Sequence, residues 1–445
     1  MAEITGTDPL KDLLEFPLLA AIYGRRSRRF GLGMAIPSGP LAFRSSAEPA
    51  PLTDLERFTL VAAATGVTGW NFGVPFGPDR PDAYAHYTQR FTGRAAPTAA
   101  GFGTPVLFFT DDTGTYLTNT RDSTPTAVRE FGDEVGDAQR ILGLCRERTT
   151  RLSETRLDLP AQPPHMLPPN LWMANAPGST LFMPVGDASE QVLGVLAMSL
   201  ANGNLVVDDE AGRPAGDLAP FVRSGLLDDA KPAPLSVLQQ MAYEANCAEL
   251  DFMAHNVVLT MQAMGLGGLF LSGLNRWSVL GAFADQGVRG LGFRFVQDDR
   301  WTLPNPVGLD GVYEALCPPY YPDMRAAVED FVARKFGPGA AYDPETPGPW
   351  KRTDQIKRSV DPYSDEFVAC LGEVAEYIHD TRGRFPSTFT TIVLTGFVQA
   401  VHLDTEFYDT HFQPGAYLPT HSAHWERWHG AGPHFMESHM PAQRS

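Results

Sequence analysis

Residues 106–117 read VLFFTDDTGTYL. Val106 to Thr110 is a short run of β-branched and aromatic residues, Asp111 to Gly114 carries turn chemistry, and Tyr116-Leu117 begins a return, so the stretch predicts a β-hairpin. Outward from it, Leu181 to Val185, Val192 to Met198 and Leu205 to Val207 read as further strands, the first weakened by Pro184. Thr53-Asp54-Leu55-Glu56 is a capping box, in which Thr53 and Glu56 each bond the other's backbone N–H, and Leu55, Phe58 and Ala62 mark one face of the helix that follows. Leu250, Met253, Ala254, Val257, Val258, Met261 and Met264 keep helical spacing, with Phe252 and Leu259 on other faces, which predicts a helix in the middle of the fold. Gly265-Leu266-Gly267-Gly268 ends it, glycine permitting the left-handed cap. Phe389, Ile392, Val393, Phe397, Ala400 and Val401 predict one more amphipathic helix. Helices and strands in irregular order indicate an α+β fold.

The 445 residues are 43% hydrophobic and 20% charged, ordinary for a folded chain and too apolar for a disordered one. Lys and Arg number 35 against 52 Asp and Glu, a net charge of −17 whose field opposes nucleic acid and anionic membrane. Cys145, Cys247, Cys317 and Cys370 lie too far apart for a Cys-x-x-Cys knuckle and read as buried thiols. Phe252 to Leu274 is the one apolar stretch resembling a membrane span, but His255, Asn256, Gln262 and four glycines make it a buried helix and turn. The first 20 residues lack a charged segment followed by an apolar core, so the expectation is a cytoplasmic protein without a secretory signal. Proline-rich stretches at Leu159 to Pro177 and Gly337 to Pro349 read as long connections within a single compact body spanning residues 1–445.

Against the acidic average, Phe16 to Ala47 holds Arg25, Arg26, Arg28, Arg29 and Arg44 and no Asp or Glu. Guanidinium forks suit phosphate oxygens, and Ser27 adds a hydroxyl, so Arg25, Arg26, Ser27 and Arg29 are candidates to hold a phosphate ester. The alternative is a solvated basic patch or a set of salt bridges.

Arg25-Arg26-Ser27-Arg28-Arg29-Phe30 resembles the Arg-Arg-Ser-x-Arg-x-Phe opening of the nitroreductase-like flavoproteins, with the phenylalanine one place early. Ala62-Ala63, Thr68, Asn71 and Pro75-Phe76 are similar to that family's Ala-Ala…Ser-x-x-Asn-x-Gln-Pro-Trp segment, without its glutamine, and Met264 to Leu269 resembles its glycine turn. Gly93 to Gly101 with Thr113-Gly114-Thr115-Tyr116 is similar to a pattern of the azoline-oxidising branch. The resemblance covers residues 20–120 and 240–295 and leaves 150–235 and 300–445 as insertions. It implies a nitroreductase-like fold with a central, mostly antiparallel sheet flanked by helices. It also implies FMN held by Arg25, Arg26, Ser27, Arg29, Thr68, Asn71, Gly265, Leu266, Gly267 and Gly268, with NAD(P)H as a donor. The activity implied is that of an oxidoreductase: a nitro or quinone reductase, or an azoline dehydrogenase. The substrate is then a small molecule or a modified peptide, the assembly a homodimer, and no dedicated catalytic acid or base is required. A protein that keeps the fold without the flavin is the degenerate alternative.

A metal-binding protein is the other alternative. Seven of the eleven histidines lie between His402 and His439. His421-x-x-His424 and His429 would supply three imidazoles, with Asp404 or Glu406 as carboxylate, although neither a cysteine nor a His-Glu-x-x-His motif supports such a site, and no residue is assigned as a metal ligand from the sequence. Trp425 and Trp428 between these histidines suit a lid. Cys317-Pro318-Pro319-Tyr320-Tyr321 reads as a packed, rigid surface loop.

Overall fold

The computed structural model describes residues 8–74, 88–300, 304–390 and 396–430. The predicted hairpin is present and lies within a larger antiparallel sheet. Its strands are β1 (Val106–Asp111), β2 (Gly114–Thr118), β3 (Thr149–Ser153), β4 (Thr180–Asp187), β5 (Gly267–Leu271), β6 (Thr388–Thr390) and β7 (Phe397–Val401). Six run in the order β5-β7-β4-β1-β2-β3, and β6 pairs with the far end of β4. Each pairing in this sheet is antiparallel.

Strand alternation sends successive β1 side chains to opposite faces. Val106 and Phe108 join a core with Leu181, Met183, Phe30 and Phe293, while Leu107 and Phe109 join another with Phe182, Phe58 and Met261. Phe108, Phe109 and Phe182 are fully buried, and each such ring contributes roughly 1.5–3 kcal/mol. Five helices frame these cores: α1 (Asp54–Thr65), α2 (Ala188–Ala201), α3 (Leu235–Met264), α4 (Met324–Phe336) and α5 (Asp365–Arg382). α1 and the second half of α3 cover the Phe109 face, whereas α2, α4 and α5 enclose a third core around Leu193, Leu196, Phe331 and Leu371.

The capping box stands as read, with both reciprocal bonds formed, and α3 ends at Gly265 with φ +83°. Two elements differ from expectation. Val192 to Met198 is the middle of α2, not a strand, because Asp187 accepts from Ser189 N and Glu190 N and starts a helix buried on nearly every face. An apolar run of this kind carries no periodicity to separate the two conformations. Conversely, the helix expected across Phe389 to Val401 is replaced by β6 and β7, with 391–395 outside the described residues. β7 is buried along its whole length between β5 and β4, which is why it reads as continuous rather than alternating. Pro184 proves compatible with a central strand. The paired residues of β7 face Thr180 to Phe182 and those of β6 face Val185 to Asp187, so its missing N–H falls in the gap between them. Phe252 to Leu274 divides into the end of α3, the glycine turn and β5, and no described helix is long and apolar enough to cross a membrane.

Candidate metal centre

Four side chains from three distant parts of the chain meet at one buried point. Glu56 is in the first turn of α1, His402 follows β7, and His424 and His429 lie on α7 (His424–His429), directly after the short helix α6 (Pro419–Ser422). One ligand atom from each lies within 4.8 Å of the others. Glu56 Oε1 is 3.2 Å from His402 Nε2, 2.8 Å from His424 Nε2 and 3.1 Å from His429 Nε2. Glu56 is 0%, His402 1% and His424 2% exposed, so the three are sealed from bulk water.

Local structure aims each group. Thr53 donates to Glu56 Oε2 from its backbone N at 2.7 Å and from its hydroxyl at 2.8 Å, so the capping box occupies one carboxylate oxygen and turns the other toward the histidines. His402 Nδ1 donates to Ala50 O at 2.8 Å, and His424 Nδ1 donates to Met264 O at 2.9 Å. Carbonyl oxygens only accept, so both protons are assigned to Nδ1, leaving Nε2 of each neutral ring as a lone pair. Trp425 packs against His402 and His429, with ring centroids 4.8 and 4.1 Å away.

Unprotonated Nε2 atoms of two imidazoles therefore lie beside a carboxylate oxygen, with no proton to bridge them. His424 Nε2, though 2.8 Å from Oε1, makes no hydrogen bond of acceptable angle and is an orphaned buried atom. Protonating the rings would place several imidazolium groups around one carboxylate, and burial opposes this by pushing His424 down from its ordinary value. The arrangement suits a cation placed between the four atoms. Three imidazoles and one carboxylate match zinc and neighbouring divalent transition metals.

The carboxylate expected from sequence is corrected here. Asp404 instead caps the helix Thr405–His411 and accepts from the Ser45 hydroxyl, and Glu406 accepts from the Ser46 hydroxyl. His421 also lies outside the cluster, because its Nδ1 accepts from Leu418 N. Burial, with Arg28 nearby, pushes His421 down to about 3. Glu56 was legible only as a cap. The sequence carries no sign that its second oxygen meets a histidine 346 residues away. His434 and His439 lie outside the described residues.

The arginine run divides. Arg26, Ser27 and Arg29 are exposed and Arg25 is half-buried, while Arg28, which is not among the expected flavin contacts, is the buried member. Arg28 donates to Gln262 Oε1 at 2.7 Å, Ala416 O at 2.9 Å and Gly24 O at 3.2 Å. Its backbone bridges to Gly268, so the structure brings the run against the glycine turn. Around Gly265, Gly267 and Gly268 the space a side chain would take is filled by Thr420 O, Leu403 and Gln399 O respectively, and Leu266 is fully buried. Thr68 and Asn71 lie elsewhere, in and beside the hairpin of Val67–Trp70 with Thr92–Arg94, where the Asn71 amide donates to Arg90 O and Thr92 O. Pro75-Phe76 falls outside the described residues. No family model and no curated protein matches the chain.

Proposed function

We propose that this chain is a metalloprotein in which Glu56, His402, His424 and His429 hold one divalent transition-metal ion, zinc by its ligand chemistry. The carrying observation is the gathering of Nε2 atoms within 3.2 Å of a buried carboxylate oxygen, with the Nδ1 protons of His402 and His424 committed to carbonyls. Ligand atoms around a tetrahedral zinc lie about 3.3 Å apart, given metal–ligand bonds of about 2.0–2.1 Å. The separations between Oε1 and the three nitrogens are 2.8–3.2 Å, close to that value, and all four ligand atoms lie within 4.8 Å of one another. Four protein ligands leave no open position for a substrate, and the ion's role is to fasten α7 and the end of β7 onto α1. Purified protein should contain close to one equivalent of metal by elemental analysis, and cobalt substitution should give the visible absorption of a tetrahedral site. Protein free of metal that also takes up neither zinc nor cobalt would overturn the proposal.

A flavin-dependent oxidoreductase is the second reading, supported by the Arg28–Gly268 bridge that sets the arginine run against the glycine turn. In it FMN accepts hydride from NAD(P)H, and a homodimer partner completes a site for a small molecule or a modified peptide. The degenerate form keeps the fold without flavin. A yellow protein whose FMN is lost in the Arg25→Ala, Arg26→Ala double variant would establish this reading. A colourless protein with no FMN uptake would remove it.

A further inference from the structure

The four groups of the proposed centre are not held alike. Glu56, His402 and His424 are sealed from water, whereas His429 keeps 21% of its side chain exposed. His402 and His424 are each tied at the second ring nitrogen, where Nδ1 donates to Ala50 O and to Met264 O. Among the described residues nothing bonds Nδ1 of His429, whose one hydrogen-bond partner is Glu56. Imidazoles that bind metal are usually held by such a second bond, and it is worth roughly 10–100-fold in metal affinity.

The short helix α7 is anchored unevenly as well. Its first residue, His424, is buried and bonded to the end of α3. Trp428 stacks on the His424 ring, with centroids 6.3 Å apart, and packs against the core that holds Phe58 and Met253. Its last residue, His429, has the Trp425 ring on one side, 4.1 Å between centroids, and water on the rest. An ion enclosed by the other three groups therefore has its route to solvent on the His429 side. We infer that His429 is the exchangeable ligand of the centre. Its ring swings out to admit or release the ion, and the coordination position it vacates takes water or a compact monodentate nitrogen donor such as imidazole. Glu56, His402 and His424 hold the ion meanwhile, so exchange proceeds without unfolding α1 or the sheet. The inference rests on the metal reading and goes beyond it, since a purely structural site keeps all four ligands closed.

The full chain loaded with cobalt tests the inference, because the visible absorption of cobalt reports its ligands. His429→Ala should still bind one equivalent and lose it to excess EDTA about tenfold faster than the parent, or more, while His402→Ala retains none. His429→Gln keeps bulk against Trp425 and should lose cobalt as fast as His429→Ala, which separates loss of a ligand from loss of packing. Added imidazole should return the His429→Ala spectrum toward that of the parent and slow the release. Release at the parental rate in both variants, no cobalt in either, or a His429→Ala spectrum indifferent to imidazole would each overturn the inference and leave the metal reading standing. A parent chain that takes up no cobalt would overturn the metal reading, and this inference with it.

Discussion

The arginine run at 25–29 and the histidines at 402–429 are the two compositional anomalies of the chain, and the fold treats them in opposite ways. Three of the four arginines are not buried, while His402 and His424 are sealed against Glu56. A local run of like charge has to be solvated or paired residue by residue, so most of it stays at the surface. A set of histidines can be drawn inward when one carboxylate and two backbone carbonyls fix their protons. Charge density along a sequence therefore says less about burial than the supply of partners elsewhere in the chain.

The largest test of this contrast is removal of one imidazole. His424→Ala should abolish metal retention and lower stability by about 3–5 kcal/mol, as breaking a buried charged cluster does. Elemental analysis and chemical denaturation report both effects. Retained metal with unchanged stability would erase the difference between the two regions. Within the arginine run, Arg28→Ala should cost about 2–3 kcal/mol, because it strands Gln262 Oε1 and two carbonyls that the guanidinium now satisfies. Chemical denaturation of the variant checks that loss.

Lys335 extends the comparison to a buried amine. Burial pushes it down to about 7, and its ammonium nitrogen lies 3.0 Å from the Tyr363 hydroxyl. Between pH 7 and the ordinary lysine value the unfolded chain binds the proton and the folded chain does not. Stability should therefore rise with pH across that window, by up to about 1.4 kcal/mol per unit, with the penalty fully present below it. Urea denaturation at successive pH values checks this, and Lys335→Met should flatten the slope. The smallest effect is expected of Arg26→Ala. Its side chain is exposed and bonds only carbonyls of its own turn, so stability should stay within about 0.5 kcal/mol of the parent. A larger loss would mean that the exposed arginines do structural work after all.

Local chemistry was readable in the sequence wherever it closed on itself. Thr53 with Glu56, the 106–117 hairpin and the Gly265 cap are each specified by residues within a dozen positions, and each forms. Val192 to Met198 and Phe397 to Val401 defeat periodicity because the tertiary structure buries them on both sides, which removes the polar residues that a periodic pattern depends on. The candidate centre was half legible. His424 and His429 stood out by composition, but Asp404 and Glu406, the carboxylates expected to join them, accept from Ser45 and Ser46 instead.

Glu56 divides its carboxylate between a helix start and a cluster of rings, and this has a consequence for biosynthesis. Thr53 leaves the ribosome alongside Glu56, so the first oxygen finds its partners at once. His402 is 346 residues later, and at about 5–20 residues per second the second oxygen waits roughly 20–70 seconds for company. Closure of the proposed metal site is thus a late event in the life of the nascent polypeptide, coming only after β7, the last described strand of the large sheet, has been made.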